Sequence, residues 1–219
     1  MARLLFHKTG NAVWISHLDL MRLFQRSFKR AGLLLKHTQG FNPRPSVSIA
    51  LPLSVGIQSH CELLDFELEG LDISCEEIRQ RLAPCLIDGI EVMEVYNTGR
   101  AIKHLAYLDC CVTMEYDAGV PAGCTQKLAA LFQSPTLVVE KKGKNGITQQ
   151  DIVSMIRNME ICEEDGNTVV IRARVCCQNP TLNPMQLHHA VCTYLPELTP
   201  DFAKCCRNEI FDHEGNIFR

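Results

Sequence analysis

Histidines beside charged residues are the groups in this sequence that could perform acid–base chemistry. His17 and Asp19 stand at the start of a predicted helix, and His37 lies next to Lys36 in a loop. A histidine serves as a general acid or base only when it is held near a substrate hydroxyl. Asp19 has a second explanation, since a carboxylate stabilises a helix N-terminus. We therefore expect no catalytic residue, and acid–base use of His37 or His17 is the alternative.

The cysteines and paired histidines do not have the spacing of a metal site. The chain has 12 cysteines but no C-x-x-C, the spacing from which zinc and iron–sulfur sites are built. His188 and His189 are adjacent, so on a helix they point about 100° apart, unlike an i, i+4 ligand pair. We expect small, buried thiols in a reducing compartment, and neither a metal nor a cofactor.

The loop at residues 36–46, KHTQGFNPRPS, combines stiffness with hydrogen-bond donors. Pro43 and Pro45 fix φ and oppose a regular strand, whereas Gly40 can adopt a positive φ. A loop held in one shape loses little entropy on binding. Phe41 could stack on an unpaired base or insert into the core. The side chains suited to phosphate, sugar or base edges are those of Gln39, Asn42 and Arg44.

Charge is distributed unevenly along the chain. Residues 1–50 contain eight Lys and Arg but one acidic residue, a net +7, whereas the remainder has 14 basic and 24 acidic residues, a net −10. Such asymmetry indicates a polyanionic partner for the N-terminal part. The alternative is that the positive part docks on the negative part of the same chain.

An amphipathic helix precedes the loop. Ser16 is the expected N-cap, Asp19 its capping-box partner, and Gly32 the residue that ends the helix. The predicted apolar face consists of Leu18, Met21, Phe24, Phe28 and Ala31. The opposite face, which contains Asp19, is otherwise basic and carries Arg22, Arg26, Lys29 and Arg30.

The periodicities predict an α+β protein made of two ferredoxin-like (βαββαβ) halves in tandem, residues 1–98 and 104–219. A polar loop is expected at 141–146, with Lys141, Lys142 and Lys144 as a small basic group. The predicted strands are 3–8, 47–51, 64–68, 90–96, 105–116, 136–140 and 205–211, with a hairpin turning at Asp165-Gly166. The predicted helices cover 16–32, 74–87, 124–132 and 183–194, the last capped by Asn183 with Pro184 first.

Neither a membrane span nor an export signal is expected. No apolar run approaches the roughly 18 residues that a span needs. The first residues, MARLLFHKTG, become charged and polar too early for a signal peptide. The expected location is the cytoplasm.

Two segments resemble a known family. WISHLDLMRLFQRSFKRAGL and HTQGFNPRPSVSIALPLSVGIQSHCELLDFEL resemble the radical SAM-linked proteins, a family of unknown function that occurs alone or fused to a cobalamin-binding radical SAM protein. The chain lacks the cysteine triplet that would hold a cluster, so it cannot start radical chemistry itself. The predicted architecture is also similar to that of repeat-associated RNA-processing proteins. Their glycine-rich C-terminal loop has no equivalent in NEIFDHEGNIFR, which weakens a nuclease analogy.

Together, the charge pattern and the resemblance predict a non-catalytic RNA-binding accessory module for a radical SAM RNA-modifying enzyme. The expected partners are RNA (tRNA or rRNA) and the cobalamin-binding radical SAM protein. The alternatives are a module that docks on that enzyme without touching RNA, and a metal-independent endoribonuclease. The predicted RNA-binding residues are Arg22, Arg26, Lys29, Arg30, Lys36, His37, Gln39, Phe41, Asn42 and Arg44.

Overall fold

The computed structural model describes residues 1–70, 73–143 and 146–219. Within these ranges, no helix combines the length and the apolar character needed to cross a bilayer. The chain divides into two compact units. The N-terminal unit comprises Met1–His104 with Arg219, and the C-terminal unit comprises Leu105–Phe218.

The N-terminal unit follows the order strand, helix, strand, strand, helix, strand. Its elements are β1 (Ala2–Lys8), α1 (His17–Arg30), β2 (Val47–Ile49), β3 (Gln58–Phe66), α2 (Cys75–Leu82) and β4 (Ile90–Asn97). The strands lie in the order β4-β1-β3-β2, and all three pairings are antiparallel. This is the element order that the sequence predicts for this part of the chain.

Helix α1 begins where the capping pattern predicts. The Ser16 hydroxyl accepts a hydrogen bond from the Asp19 backbone N–H at 3.2 Å, which satisfies one of the free donors of the first turn. The predicted apolar face is wrong at one end, because Leu18 is exposed and Leu20 is buried in its place. Leu20 lies four residues before Phe24 and so on the same helical face, whereas Leu18 lies six residues before it, about 120° away around the helix. The prediction linked Leu18 to Phe24 only through Met21 and so missed this row.

Aromatic rings join α1 to the sheet of the N-terminal unit. Phe6 on β1 meets Phe24 on α1 edge-on with ring centroids 4.8 Å apart, and Phe28 meets Phe66 on β3 at 4.9 Å. All four rings are buried. Burying each contributes about 1.5–3 kcal/mol, so α1 is fixed to the sheet by its inner face, and its outer face lies free of this core.

Helix α2 is shorter than the predicted 74–87. Ser74 caps it as expected, accepting a hydrogen bond from the Glu77 N–H at 3.1 Å. After Leu82 the chain continues as a 3-10 turn, Ala83–Cys85. Pro84 lacks the N–H that would extend the α-helical ladder, which explains the early end.

The C-terminal unit contains an additional hairpin. Its elements are β5 (Leu105–Glu115), α3 (Cys124–Phe132), β6 (Val138–Gly143), β7 (Gly146–Asp151), β8 (Ile156–Asp165), β9 (Thr168–Cys176), α4 (Met185–Tyr194) and β10 (Phe202–Asp212). The main strands lie in the order β10-β5-β9-β8, paired antiparallel, while β6 and β7 pair with each other. The predicted α+β class is confirmed.

The β6–β7 hairpin corrects two predictions. Instead of a strand at 136–140 followed by a polar loop at 141–146, the strand continues to Gly143 and pairs with β7, with Lys141 opposite Thr148. Lys142 also lies in β6, and Lys144 lies outside the described residues. Backbone pairing forms this hairpin without the apolar alternation on which the strand prediction relied. Helix α4 also differs by one residue, since it starts at Met185, whose N–H donates to the Asn183 side chain at 3.1 Å.

The cysteines pack as small side chains. All twelve are free; six are buried and six are half-buried, which favours packing over surface reactivity. Burial raises the pKa of the Cys205 thiol to about 12, so this sulfur stays protonated and unreactive near neutral pH. No group of three or more His, Cys, Asp or Glu suited to a metal occurs in the part of the chain that the structure describes.

Candidate nucleic-acid interface

The outer face of α1 carries an exposed row of cations. Arg22, Arg26, Lys29 and Arg30 are all exposed and recur at intervals that place them on neighbouring turns. They border an open depression of about 860 Å³. Its other lining residues are Ile15, Asp19, Leu23 and Ile87.

Two of these cations are held by neighbours. Arg22 donates to the Asp19 carboxylate at 2.9 Å. The Ser16 hydroxyl and then the Arg22 guanidinium lower the pKa of Asp19, so this acid stays charged and offsets one positive charge. Arg30 donates to the carbonyl of Cys85 and, at 3.2 Å, to the Ser27 hydroxyl. Those acceptors are neutral, so Arg30 keeps its charge uncompensated.

Arg26 and Lys29 are the two cations of the depression whose side chains are bonded to no described neighbour. Neither makes a side-chain hydrogen bond or an ion pair with any residue that the structure describes. The depression therefore holds four cations and one anion. An exposed, uncompensated charge attracts a counterion from solution, and a polyanion gains by displacing several such ions at once.

The two arms of the loop at residues 36–46, here called the Pro-rich loop, are joined by backbone hydrogen bonds. The Thr38 N–H donates to the Arg44 carbonyl at 2.8 Å, and the Arg44 N–H donates back to the Thr38 hydroxyl at 3.0 Å. Below this pair, the Ser46 N–H donates to the Lys36 carbonyl at 2.7 Å. Gly40 has φ +137° near the tip, a conformation that L side chains rarely adopt.

The side chains of the Pro-rich loop point to solvent. Phe41 is fully exposed, so it does not insert into the core. Lys36 is paired with an acid, its Nζ lying 3.4 Å from a Glu67 carboxylate oxygen. The remaining predicted contact residues of the loop are likewise exposed: His37, Gln39, Asn42 and Arg44.

Lys29 connects the basic helix with the Pro-rich loop. It borders the depression along α1 and also a second one of about 300 Å³, which His37 and Pro45 line from the loop side. The other residues of this second depression are Gln25, Leu33, Leu34, Leu35 and Glu69. The structure thus brings Lys29 and His37 to one surface. Gln39, Phe41, Asn42 and Arg44 line neither depression and lie farther out on the loop.

The two histidines that the sequence offered for acid–base chemistry, His17 and His37, are not held by a side-chain partner among the described residues. His37 has no hydrogen-bond partner among the described residues, and Nδ1 of half-buried His17 likewise finds none there. His188 is half-buried and lies 3.3 Å from the Cys192 sulfur, while His189 is exposed. Burial is the main cause that lowers the pKa of His188.

Sequence reasoning misjudged two cations and overlooked an aromatic residue. Arg3 and Lys8 count toward the net +7 of residues 1–50 but are buried, so six basic residues supply the surface charge of that segment. Arg3 forms a bidentate ion pair with Asp65, with Nε 2.5 Å and a terminal nitrogen 3.0 Å from its oxygens. Trp14 was not predicted as a site residue, yet its side chain is exposed. The sequence signal that could have identified Trp14 is its position two residues before the Ser16 cap of α1.

Comparisons with known proteins identify a family. A family model for an uncharacterized protein conserved in bacteria, DUF2344, matches residues 2–184. No curated protein matches the chain. Among solved structures, the chain is similar to a chain of a Cbf5-Nop10-Gar1 complex (TM-score 0.49, 12% identity) and to one of an archaeal box H/ACA Nop10-Cbf5 complex (TM-score 0.46, 13% identity).

Coverage differs between these matches. The alignments include 97% and 94% of this chain but 50% and 46% of the other two, so the chain spans about half the length of those proteins. A protein of unknown function from Galdieria sulphuraria aligns over 96% of both chains at 11% identity and TM-score 0.27. Similarities this weak carry no argument about function. The family match does cover most of the sequence, and the chain belongs to the DUF2344 family of bacterial proteins.

Proposed function

We propose that this protein is a non-catalytic RNA-binding module whose contact surface comprises the basic face of α1 and the Pro-rich loop. The observation that carries the proposal is the position of Lys29, which borders both depressions and, like Arg26, makes no side-chain hydrogen bond or ion pair with the described residues. Phosphate groups are the ligands that such a row of exposed cations suits best.

The Pro-rich loop supplies the second part of the surface. Backbone hydrogen bonds join its two arms at Thr38 and Arg44 and at Lys36 and Ser46, and Pro43 restricts the tip, so ordering the loop on binding costs little. Gln39, Asn42 and Arg44 offer donors to sugar and base edges, and Phe41 offers an exposed ring. We propose that α1 anchors the backbone of the RNA and that the loop reads unpaired nucleotides.

A catalytic role receives less support from the geometry. Cleavage of RNA without a metal needs a base placed to take the proton of a 2′-hydroxyl. His37 stands exposed on the loop, with no carboxylate or hydroxyl among the described residues to orient it. We therefore propose recognition without chemistry.

The resemblance to radical SAM-linked proteins supports an accessory role. The module would present tRNA or rRNA to a cobalamin-binding radical SAM enzyme. We also propose that each unit is a variant of the ferredoxin-like fold, with β6–β7 inserted in the second. The order β4-β1-β3-β2 in one unit and β10-β5-β9-β8 in the other supports this.

Charge reversal on α1 tests the proposed function. The triple variant Arg22→Glu, Arg26→Glu and Lys29→Glu should abolish binding of a fluorescently labelled RNA measured by anisotropy. Thermal stability should change little, because all three side chains are exposed.

A control variant reverses three other cations of the N-terminal unit, of which Arg81 and Lys103 are exposed and Arg79 is half-buried. The variant Arg79→Glu, Arg81→Glu and Lys103→Glu changes the net charge equally, but these residues line neither depression. It should keep RNA affinity near the wild-type value. Equal losses in the two variants would mean that overall charge, not this surface, governs binding.

A further inference from the structure

Trp14 is the single tryptophan of the chain and is 67% exposed. It ends a 3-10 turn, Gly10–Trp14, and stands two residues before the Ser16 cap of α1. An indole left in water forgoes the stabilisation that a core position would provide. Neither the fold nor the proposed phosphate contacts accounts for this placement.

The backbone on both sides of Trp14 is clamped by a buried lysine. Lys8 is 1% exposed, and its ammonium donates to the carbonyls of Val13 at 3.1 Å and Ile15 at 2.9 Å. Burying a lysine is costly unless its charge is satisfied by such acceptors. Here that interaction fixes the two peptide groups that flank the exposed indole.

Two glycines complete the support of the turn. The Gly56 N–H donates to the Val13 carbonyl at 2.9 Å, and a Cβ on Gly56 would lie 3.5 Å from the indole ring. Gly89 packs against the start of the turn so closely that a Cβ there would lie 2.4 Å from the Thr9 carbonyl oxygen. The indole is therefore exposed on a rigid base, with little backbone freedom to lose on binding.

The basic depression begins at the next residue. Ile15 lines it together with Arg22, Arg26 and Lys29. Trp14 itself does not line the depression, but it directly precedes Ile15 and lies three residues before the start of α1, so chain connectivity places it near the N-terminal end of the row of cations. A cationic groove ending at an aromatic ring is the arrangement that binds single-stranded nucleic acid, in which phosphates follow the cations and a base stacks on the ring. The same charges disfavour a basic protein partner and favour a polyanion.

We infer that Trp14 is the stacking platform for an unpaired base of a single-stranded RNA segment whose phosphates lie along the outer face of α1. This inference rests on the proposed function and specifies its ligand as a single strand rather than a duplex. A base paired within a helix has no free face to offer to the indole.

Because Trp14 is the single tryptophan of the chain, intrinsic tryptophan fluorescence reports on this residue alone. A labelled single-stranded oligonucleotide is titrated into the full chain while its anisotropy and the protein's tryptophan fluorescence are recorded together. We expect the fluorescence to change with the same midpoint as the anisotropy. We expect a smaller fluorescence change with a duplex of equal length.

Three variants separate stacking from general apolar contact. Trp14→Ala should weaken single-strand binding about 5- to 150-fold, the range for loss of one stacked base. Trp14→Phe should recover part of that loss, because a smaller ring still stacks. Leu18→Ala is the matched control: it removes a side chain of similar exposure, 66%, in the first turn of α1, and should leave affinity nearly unchanged.

The outcomes distinguish this inference from the proposed function. RNA binding with unchanged tryptophan fluorescence, or with wild-type affinity in Trp14→Ala, would overturn the stacking role and leave the RNA-binding proposal intact. Absence of RNA binding by the wild type would overturn both. Equal losses of RNA affinity in Leu18→Ala and Trp14→Ala would show that the contact is generally apolar and needs no aromatic ring, and would also overturn stacking. If Trp14→Ala fails to fold, the wild-type fluorescence titration decides alone.

Discussion

Neutralising Arg26 and Lys29 should halve the salt dependence of RNA binding. If all four cations of the α1 depression contact phosphates, log affinity for a single strand falls against log salt with a slope of about −2.8, at about 0.7 per phosphate. The double variant Arg26→Gln, Lys29→Gln retains Arg22 and Arg30, so its slope should be about −1.4. A rise from about 50 mM to about 200 mM salt should then weaken the wild type about 50-fold and the variant about 7-fold.

Fluorescence anisotropy with one labelled single strand at several salt concentrations measures these slopes. The matched control, Arg79→Gln with Arg81→Gln on α2, removes the same charge from residues paired with Glu76 and Glu77. The control should keep the wild-type slope, because its arginines lie outside the depression.

The slope rather than the affinity decides the outcome. A variant that binds less tightly but keeps the wild-type slope would show that these side chains support the fold or the loop and do not contact phosphates. A slope that falls equally in variant and control would indicate that the overall charge of the protein, and not contacts with these side chains, sets the salt dependence. Either result would refute the assignment of α1 as the phosphate-binding element.

Three further predictions concern stability and chemistry. Asp65→Asn should lower the free energy of unfolding by about 3–5 kcal/mol, because it leaves buried Arg3 without its carboxylate; in urea unfolding, Glu197→Gln, which breaks an exposed pair, should leave the midpoint unchanged. Burial lowers the pKa of His188 in the folded chain. As pH falls below the ordinary value of about 6.5, the unfolded chain therefore takes up a proton before the folded chain does. The free energy of unfolding decreases from that pH down to the lowered pKa. His188→Gln should reduce that loss, and an unchanged pH profile of the urea midpoint would contradict it. His37→Ala and wild type should leave cellular RNA equally intact on denaturing gels, whereas cleavage by the wild type alone would establish a ribonuclease.

Local signals made α1 and the Pro-rich loop predictable. The capping pattern of Ser16 and Asp19 depends on neighbouring residues alone, and the structure reproduces it. Gly40 and the prolines likewise act through their own φ preferences, which oppose a regular strand and so favour the irregular Pro-rich loop. The exposure of Leu18 was missed although the spacing contains the signal, because Leu20, and not Leu18, lies four residues before Phe24 and eight before Phe28.

Tertiary environment decided the features that the sequence did not reveal. Nothing in a charge count distinguishes buried Lys8 from exposed Lys29, since burial of the former is possible only because two backbone carbonyls accept hydrogen bonds from its ammonium group. The β6–β7 hairpin escaped prediction because its strands lack an alternating apolar face. Trp14 resembled a core residue by type, and its exposure results from the clamped turn that presents it.

Mapping ultraviolet crosslinks on the full chain identifies the residues that touch RNA in cells. RNA crosslinked in cells would be digested to single nucleotides, and the modified peptides identified by mass spectrometry. We predict adducts on peptides that contain Trp14, the outer face of α1 or Phe41 of the Pro-rich loop. Adducts confined to Leu105–Phe218, or no recovered RNA, would contradict it.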